Sequence, residues 1–279
     1  MADKKDAKSE DCENEPATAG LLIIGDEILK GHTKDTNSHF LLTRLWSLGV
    51  KVKAVSVISD DVDEIASQVR DFSSRFTHVL TSGGMGPTHD DVTIMAVGKA
   101  FDEPLVINRQ LEEIISKVYD VKHLNSFLLK MAQLPSSTKL SFGVDKPCLF
   151  PLISVHNVHI FPGVPSLLQM LFDNNSSLFS SPTMHFYLHK IYLKIHESLV
   201  AAELQEVHDK YGDKVDLGSY PEINCAEFKT KLTLESLFPD ILARAVEHLT
   251  TALPPDAVLR TENCTSGETK PTIIGICYV

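Results

Sequence analysis

The chain has 279 residues, 43% of them hydrophobic, and a formal net charge of −11, enough apolar material for one large domain and a small one beside it. That acidic balance argues against broad binding to nucleic acid or an anionic membrane, and no apolar run approaches the roughly 20 residues of a membrane span. Residues 1–15 carry three lysines and six acids. They lack the apolar core of a signal peptide and the arginines of a transit peptide, so residues 1–17 read as a disordered acidic tail.

A first strand is predicted over 20–24, ending at Gly25-Asp26-Glu27. Asp35-Thr36-Asn37-Ser38 then opens a helix whose apolar positions Phe40, Leu41, Leu45 and Leu48 recur at helical spacing, with Gly49 as its C-cap. Residues 50–58 alternate like a strand, and Asp60-Asp61 starts a helix through 72. A third short strand over 77–80 leads into Thr81-Ser82-Gly83-Gly84-Met85-Gly86-Pro87-Thr88-His89-Asp90-Asp91 and a helix over 92–100. Strand–helix alternation of this kind implies right-handed crossovers and a parallel sheet. Further on, 108–119 is a helix and Pro135 ends a short helical piece. Residues 150–155 and 158–161 are strands turned by His156-Asn157, and Pro162-Gly163-Val164-Pro165 opens a helix over 166–172. The Ser- and Asn-rich stretch 173–182 marks the domain boundary. Strand 186–195, helix 197–209, strands near 214–218 and 225–234, helix 237–250 and a strand near 257–260 then describe a small α+β domain. The domains are accordingly placed at 18–178 and 183–261, with 262–279 unassigned.

The chemistry gathers at the strand ends. Three glycines in four positions, Gly83, Gly84 and Gly86, expose backbone N–H groups where a strand turns into a helix, a place suited to an anion. Asp90 and Asp91 would repel a bare phosphate, so their presence asks for a cation between them and it. A plain turn with Asp90 as helix N-cap is the simpler reading of that segment alone. The first strand, however, also ends in glycine and two acids, and in an open parallel sheet both turns face one crevice. The candidate metal ligands are Asp26, Glu27, Asp90 and Asp91, oxygen donors suited to Mg²⁺, Mn²⁺ or Co²⁺. Gly25, Gly83, Gly84, Gly86, Ser82 and Thr88 are candidates to hold phosphate, and Asn37 to read a nucleotide or orient a ligand.

The five cysteines are scattered without CxxC spacing, which reads as reduced thiols in the cytosol. His185, His189 and His196 come near a metal pattern, but a strand here puts only the first two on one face, without a third partner.

GDEILKG at 25–31, DTN at 35–37, SLGV at 47–50 and GGMGPTHDD at 83–91 resemble the molybdopterin-binding-like domain of molybdenum-cofactor biosynthesis proteins, CinA-like proteins and the N-terminus of animal FAD synthases. Phe161-Pro162-Gly163-Val164-Pro165, Leu217-Gly218-Ser219-Tyr220-Pro221 and Lys231-Leu232-Thr233-Leu234 are most similar to the FAD synthase version. The resemblance runs from about 18 to 259. It implies a three-layer α/β sandwich with a mostly parallel sheet, and a hydrolysis of FAD to FMN and AMP; the paired acids make the expected cleavage metal-dependent, with a related adenine-containing diphosphate such as ADP-ribose as the other candidate substrate. By resemblance Lys231 would reach the phosphates from the second domain, and Glu197 would serve as general base or ligand. The catalytic set expected is therefore Asp90, Asp91, Glu197 and Lys231. The Gly-Gly-Lys-Asp nucleotide loop of the FAD-forming C-terminal domain does not occur in these residues, so FMN adenylylation is not expected of them. Two other classes compete: a pterin- or nucleotide-binding module without hydrolysis, and a regulatory domain with a decayed site. Pro87-Thr88-His89-Asp90-Asp91 stands where the molybdenum-cofactor proteins more often carry an arginine–aspartate pair, which disfavours adenylated pterin. A homo-oligomer is expected on resemblance alone.

Overall fold

The computed structural model describes residues 16–180 and 184–266; the expected acidic tail through residue 15, and residues 267–279, lie outside them. The chain divides into two compact units, Met1–Ser181 and Pro182–Val279.

The first unit is a six-stranded sheet, in the order β2-β1-β3-β8-β7-β6, between two layers of helices. Its strands are β1 (Thr18–Ile24), β2 (Lys51–Ile58), β3 (His78–Ser82), β6 (Lys139–Ser141), β7 (Leu152–Val155) and β8 (Val158–Phe161). The first three and β8 are parallel neighbours; β7 and β6 add antiparallel at one edge. The alternation of β1 explains the layering. Leu22 and Ile24 pack into the cluster that holds Ile65, Val69, Phe72, Ile94 and Val97, from helices α3 (Val62–Arg75) and α4 (Thr93–Ala100). Ala19 and Leu21 face Leu41, Leu45, Leu168 and Phe172, from α2 (Asn37–Ser47) and α7 (Pro165–Asp173). Gly20 has a packing reason: a Cβ there would lie 2.5 Å from the rings of both Phe72 and Phe76. Burying an apolar side chain of this size is worth about 2–3 kcal/mol, so both helical layers are held by the strand pattern itself.

The crossovers fix the site. Helix α2 carries the chain from β1 to β2 on one face, and α3 returns it across the other face to β3 on the far side of β1. The strand order thus reverses at β1 and β3, and ligands in such sheets bind outside the carboxyl ends of the strands at that reversal. A four-residue helical turn, α1 (Asp26–Leu29), follows β1. Three features depart from the sequence expectation. Helix α6 (Ser126–Lys130) ends before Pro135, which closes a short strand β5 (Gln133–Pro135) paired with β4 (Leu105–Ile107). Strand β6 has too little periodicity in three residues to be read. Asp90 does not cap α4, whose N-cap is Val92, without a side-chain bond. Helix α5 (Arg109–Val118) is capped by Asn108, which accepts from Leu111 N–H.

The second unit is an antiparallel sheet, β10-β11-β9-β12. It is built from β9 (Tyr187–Leu193), β10 (Asp216–Pro221), β11 (Thr230–Ser236) and β12 (Val258–Thr265). Helices α8 (Ala201–Tyr211) and α9 (Pro239–Ala252) cover one face, where Leu232 and Leu234 of β11 meet Val207, Leu242, Ala245 and Leu249. β12 continues well past 260, because its residues through Thr265 pair back along β9. Cys148, Cys225 and Cys264 are free thiols. Among the described residues no helix is long and apolar enough to cross a membrane.

Candidate functional site

The carboxyl ends of β1, β2, β3 and β8 bring together segments far apart in sequence. β3 ends in the glycine turn, and Gly83 and Gly84 are there by necessity. Their φ angles are +112° and +64°; a Cβ on Gly83 would lie 2.1 Å from Ile24 O, and one on Gly84 2.2 Å from Thr93 Oγ1. Thr93 in turn donates its hydroxyl to Gly83 O at 2.9 Å and its N–H to Gly84 O at 3.1 Å. Gly86 differs. It lies outside the left-handed region, and a Cβ there would meet only the end of the Asp91 side chain, at 2.5 Å.

Not every expected phosphate donor is free to act as one. Gly83 N–H donates to Phe161 O, and Gly25 N–H to Ile58 O, both at 3.1 Å, so these two amides extend the sheet. Ser82 and Asn37 are buried, 2% and 7% exposed. Asn37 Nδ2 donates to Ser82 Oγ at 3.0 Å and to Gly163 O at 2.8 Å, which ties α2, β3 and the loop after β8 together behind the turn. Among the described residues, the amides of Gly84, Met85 and Gly86 have no protein acceptor. They are the donors left for an anion.

The acids surround this turn. Lys30 Nζ donates to Asp26 Oδ2 at 2.6 Å, and that bond, with the charge of Lys30, holds the Asp26 carboxyl below its usual range. Glu27 curls over Gly25, where a Cβ would stand 2.7 Å from both its carboxylate oxygens. The Thr88 hydroxyl lies 2.5 Å from Asp90 Oδ1 and 2.5 Å from Asp91 Oδ2; its single proton serves one of them at a time. Thr88 N–H donates to Asp91 Oδ2 at 2.8 Å. The Thr88 hydroxyl is also the main cause that holds Asp90 below the ordinary carboxylate range.

Asp60, at the end of β2, belongs to this group although the sequence reading assigned it only to a helix start. Asp61 does the capping of α3, accepting from Asp63 N–H and Glu64 N–H at 2.9 Å. Asp60 Oδ2 instead accepts from Asp26 N–H at 2.9 Å. Burial, and then the charges of Glu27, Asp26 and Asp90, lift its carboxyl above the usual range. Three strand ends therefore feed one field of negative charge. The signal was present: β2 ends in an acid pair just as β1 does.

The acids as arranged do not make an all-protein metal cage: among the described residues, no three His, Cys, Asp or Glu side chains form a metal-holding group. That applies equally to His185, His189 and His196. Glu197 and Lys231 belong to the second unit. Glu197 begins a 3₁₀ turn and accepts from the Ser219 hydroxyl. Lys231 Nζ sits 5.0 Å from the centre of the Tyr220 ring, an ordinary cation–π stacking between neighbouring strands.

Compared with known proteins, residues 20–178 match the probable molybdopterin binding domain and residues 185–262 the middle domain of FAD synthase. The chain belongs to the molybdopterin-binding domain family. It is 34% identical over 254 residues to a probable FAD synthase of Caenorhabditis elegans, covering 83% of this chain and 49% of that protein. A second probable FAD synthase, of Caenorhabditis briggsae, is 36% identical over 243 residues, with 78% and 46% covered. The chain thus spans about half the length of these relatives. Among solved structures, CinA from Thermoplasma acidophilum, described there as a protein of unknown function, is 32% identical with a TM-score of 0.54 over 59% of this chain and 98% of its own. The fold is α/β, a mostly parallel sheet between helices, followed by a separate antiparallel-sheet unit.

Proposed function

We propose that this FAD synthase-related chain is a metal-dependent nucleotide diphosphatase, which cleaves FAD to FMN and AMP, or a related adenine dinucleotide or ADP-ribose to AMP and the other monophosphate. The observation that carries the reading is the convergence of Asp26, Glu27, Asp60 and Asp90 beside a glycine turn with unused amides. A diphosphate is the ligand class that needs both: N–H donors for its oxygens, and a cation between those oxygens and the carboxylates.

The residues fit a divalent cation that arrives with its substrate. Mg²⁺ is commonly held by one or two carboxylates together with substrate phosphates, rather than by a complete protein cage. Asp26, Glu27, Asp60, Asp90 and Asp91 would supply the protein oxygens. Bound there, such an ion would neutralise phosphoryl charge and lower the pKa of water. The chain's own part is positioning. Gly84, Met85 and Gly86 donate to phosphate oxygens, Thr88 fixes Asp90 and Asp91, and Asp60 fixes the start of the Asp26 turn. In the net reaction one water adds across one phosphorus–oxygen bond of the bridge, leaving a monophosphate on each product. Lys231 and Glu197 stay candidates for the catalytic set on the family resemblance alone.

The family description favours a second reading, a pterin- or nucleotide-binding module that does not hydrolyse. Incubation of the purified protein with FAD, ADP-ribose and adenylated molybdopterin, with and without Mg²⁺, Mn²⁺ or Co²⁺, separates the two. Release of FMN and AMP supports hydrolysis, whereas saturable binding of every ligand without products would refute it.

A further inference from the structure

The glycine turn has a cation of its own, from a segment distant in the chain. Lys130 is the last residue of α6, some forty positions beyond the turn. Its Nζ donates to Thr88 O at 2.6 Å. It also lines, with Gly84, Met85, Gly86, Asp91 and Met131, a cavity of about 60 Å³ against the turn.

The contrast with Lys30 is informative. Lys30 donates directly to a carboxylate, so its charge is neutralised within the acid group. Lys130 contacts a neutral carbonyl, and among the described residues no carboxylate lies at ion-pair distance from it. An ammonium has three donors, and a single carbonyl uses one. Lysine is also a compact charge on a flexible four-carbon stem, so the head group can move from the Thr88 carbonyl to a ligand without any backbone change. The main chain it now contacts belongs to the loop that carries Asp90 and Asp91.

We propose that Lys130 is the anion-recognising cation of this turn and binds a phosphoryl group of a diphosphate seated on the amides of Gly84, Met85 and Gly86. The assignment rests on the diphosphate reading above and extends it. The crevice carries Asp26, Glu27 and Asp60 at the ends of β1 and β2, while at the end of β3 the ammonium from α6 stands beside Asp90 and Asp91. A diphosphate seated there can meet a divalent cation held by the carboxylates and the lysine at the same turn. A neutral nucleoside gains nothing from Lys130, so the residue sets a preference for phosphorylated ligands.

The test uses the full chain and a ligand whose bridge resists hydrolysis, α,β-methylene-ADP with Mg²⁺, measured by calorimetry at low and high salt for wild type, Lys130→Met and Lys130→Arg. The expected result is a loss of at least about tenfold in Lys130→Met at low salt, shrinking at high salt because the lost term is electrostatic, with Lys130→Arg recovering most of the affinity. Equal affinity in Lys130→Met and wild type would overturn the assignment. So would a loss of the same size at both salt concentrations, which marks displacement of the Thr88 carbonyl instead of a missing charge. Wild type that binds the analogue through Lys130 but never cleaves FAD would refute the hydrolase reading and leave this assignment standing.

Discussion

Single residues at the turn separate folding from binding. Gly83 and Gly84 combine left-handed backbone with contacts of 2.1 and 2.2 Å to a would-be Cβ, so Gly83→Ala is expected to lose about 2–4 kcal/mol of stability. Gly86→Ala needs only a rotation of Asp91 and is expected to stay within about 1 kcal/mol of wild type. It should nonetheless bind FAD at least about tenfold more weakly, since a methyl group there intrudes on the amides and on Asp91. Thermal melting beside a binding titration tests both; a Gly86→Ala protein that binds normally would make the turn a structural bend. Asp60 points the other way. Because its carboxyl is lifted above the ordinary range, its ionised form works against folding at neutral pH. Asp60→Asn can keep its bond to Asp26 N–H. It is expected to raise the urea midpoint of the metal-free protein, while weakening catalysis. Lower stability in that variant would contradict the repulsion described at the three strand ends.

At the scale of elements, strands and helices with clear periodicity were legible and the short ones were not. β1, β2 and β3, helices α2, α3 and α5, and the paired β7 and β8 follow directly from alternation, helical spacing and caps. β4, β5 and β6 have three residues each, too few to carry a period, and Pro135 was read as a helix stop although it ends an edge strand. The acids of β1 and β3 were legible because glycines flag those turns. Lys130 was not, because its role depends on which helix end the topology brings to the turn; Asp60 carried the acid-pair signal but no glycine to flag it. β8 carries a separate consequence. Burial, and then the nearby His78, push His159 down to about 3, and its ring also meets Ser154 Oγ at 2.9 Å. A histidine held neutral in the fold contributes stability that is present above its ordinary pKa near 6.5 and is lost as pH falls below it. Urea midpoints should therefore decline between about pH 6.5 and 5. Glu103 is held at about 2, chiefly by Ser137, and its contribution is lost only below its ordinary value of 4.5. A midpoint that stays flat from pH 6.5 to 5 would contradict the buried neutral state of His159.

For the whole molecule, two units with separate cores match two different domain descriptions, and the probable FAD synthases that resemble them are about twice as long. Their naming as synthases speaks of those whole proteins. Given FMN, ATP and Mg²⁺, the 279-residue polypeptide is expected to form no FAD above background, and steady synthesis by a homogeneous preparation would show that an adenylylating site exists within it. In the proposed function the strand-end acids and the glycine turn together cleave a diphosphate with the help of a divalent ion. The most direct measurement is release of FMN and AMP from FAD by wild type and by the double variant Asp90→Ala, Asp91→Ala, each with Mg²⁺ and with excess chelator. Wild type is expected to turn over with the metal and to lose nearly all activity in chelator, and the double variant to lose nearly all activity at a stability within about 1 kcal/mol of wild type, because turn acids at the surface contribute little to folding. Undiminished cleavage in chelator, or full activity without Asp90 and Asp91, would contradict the proposed function.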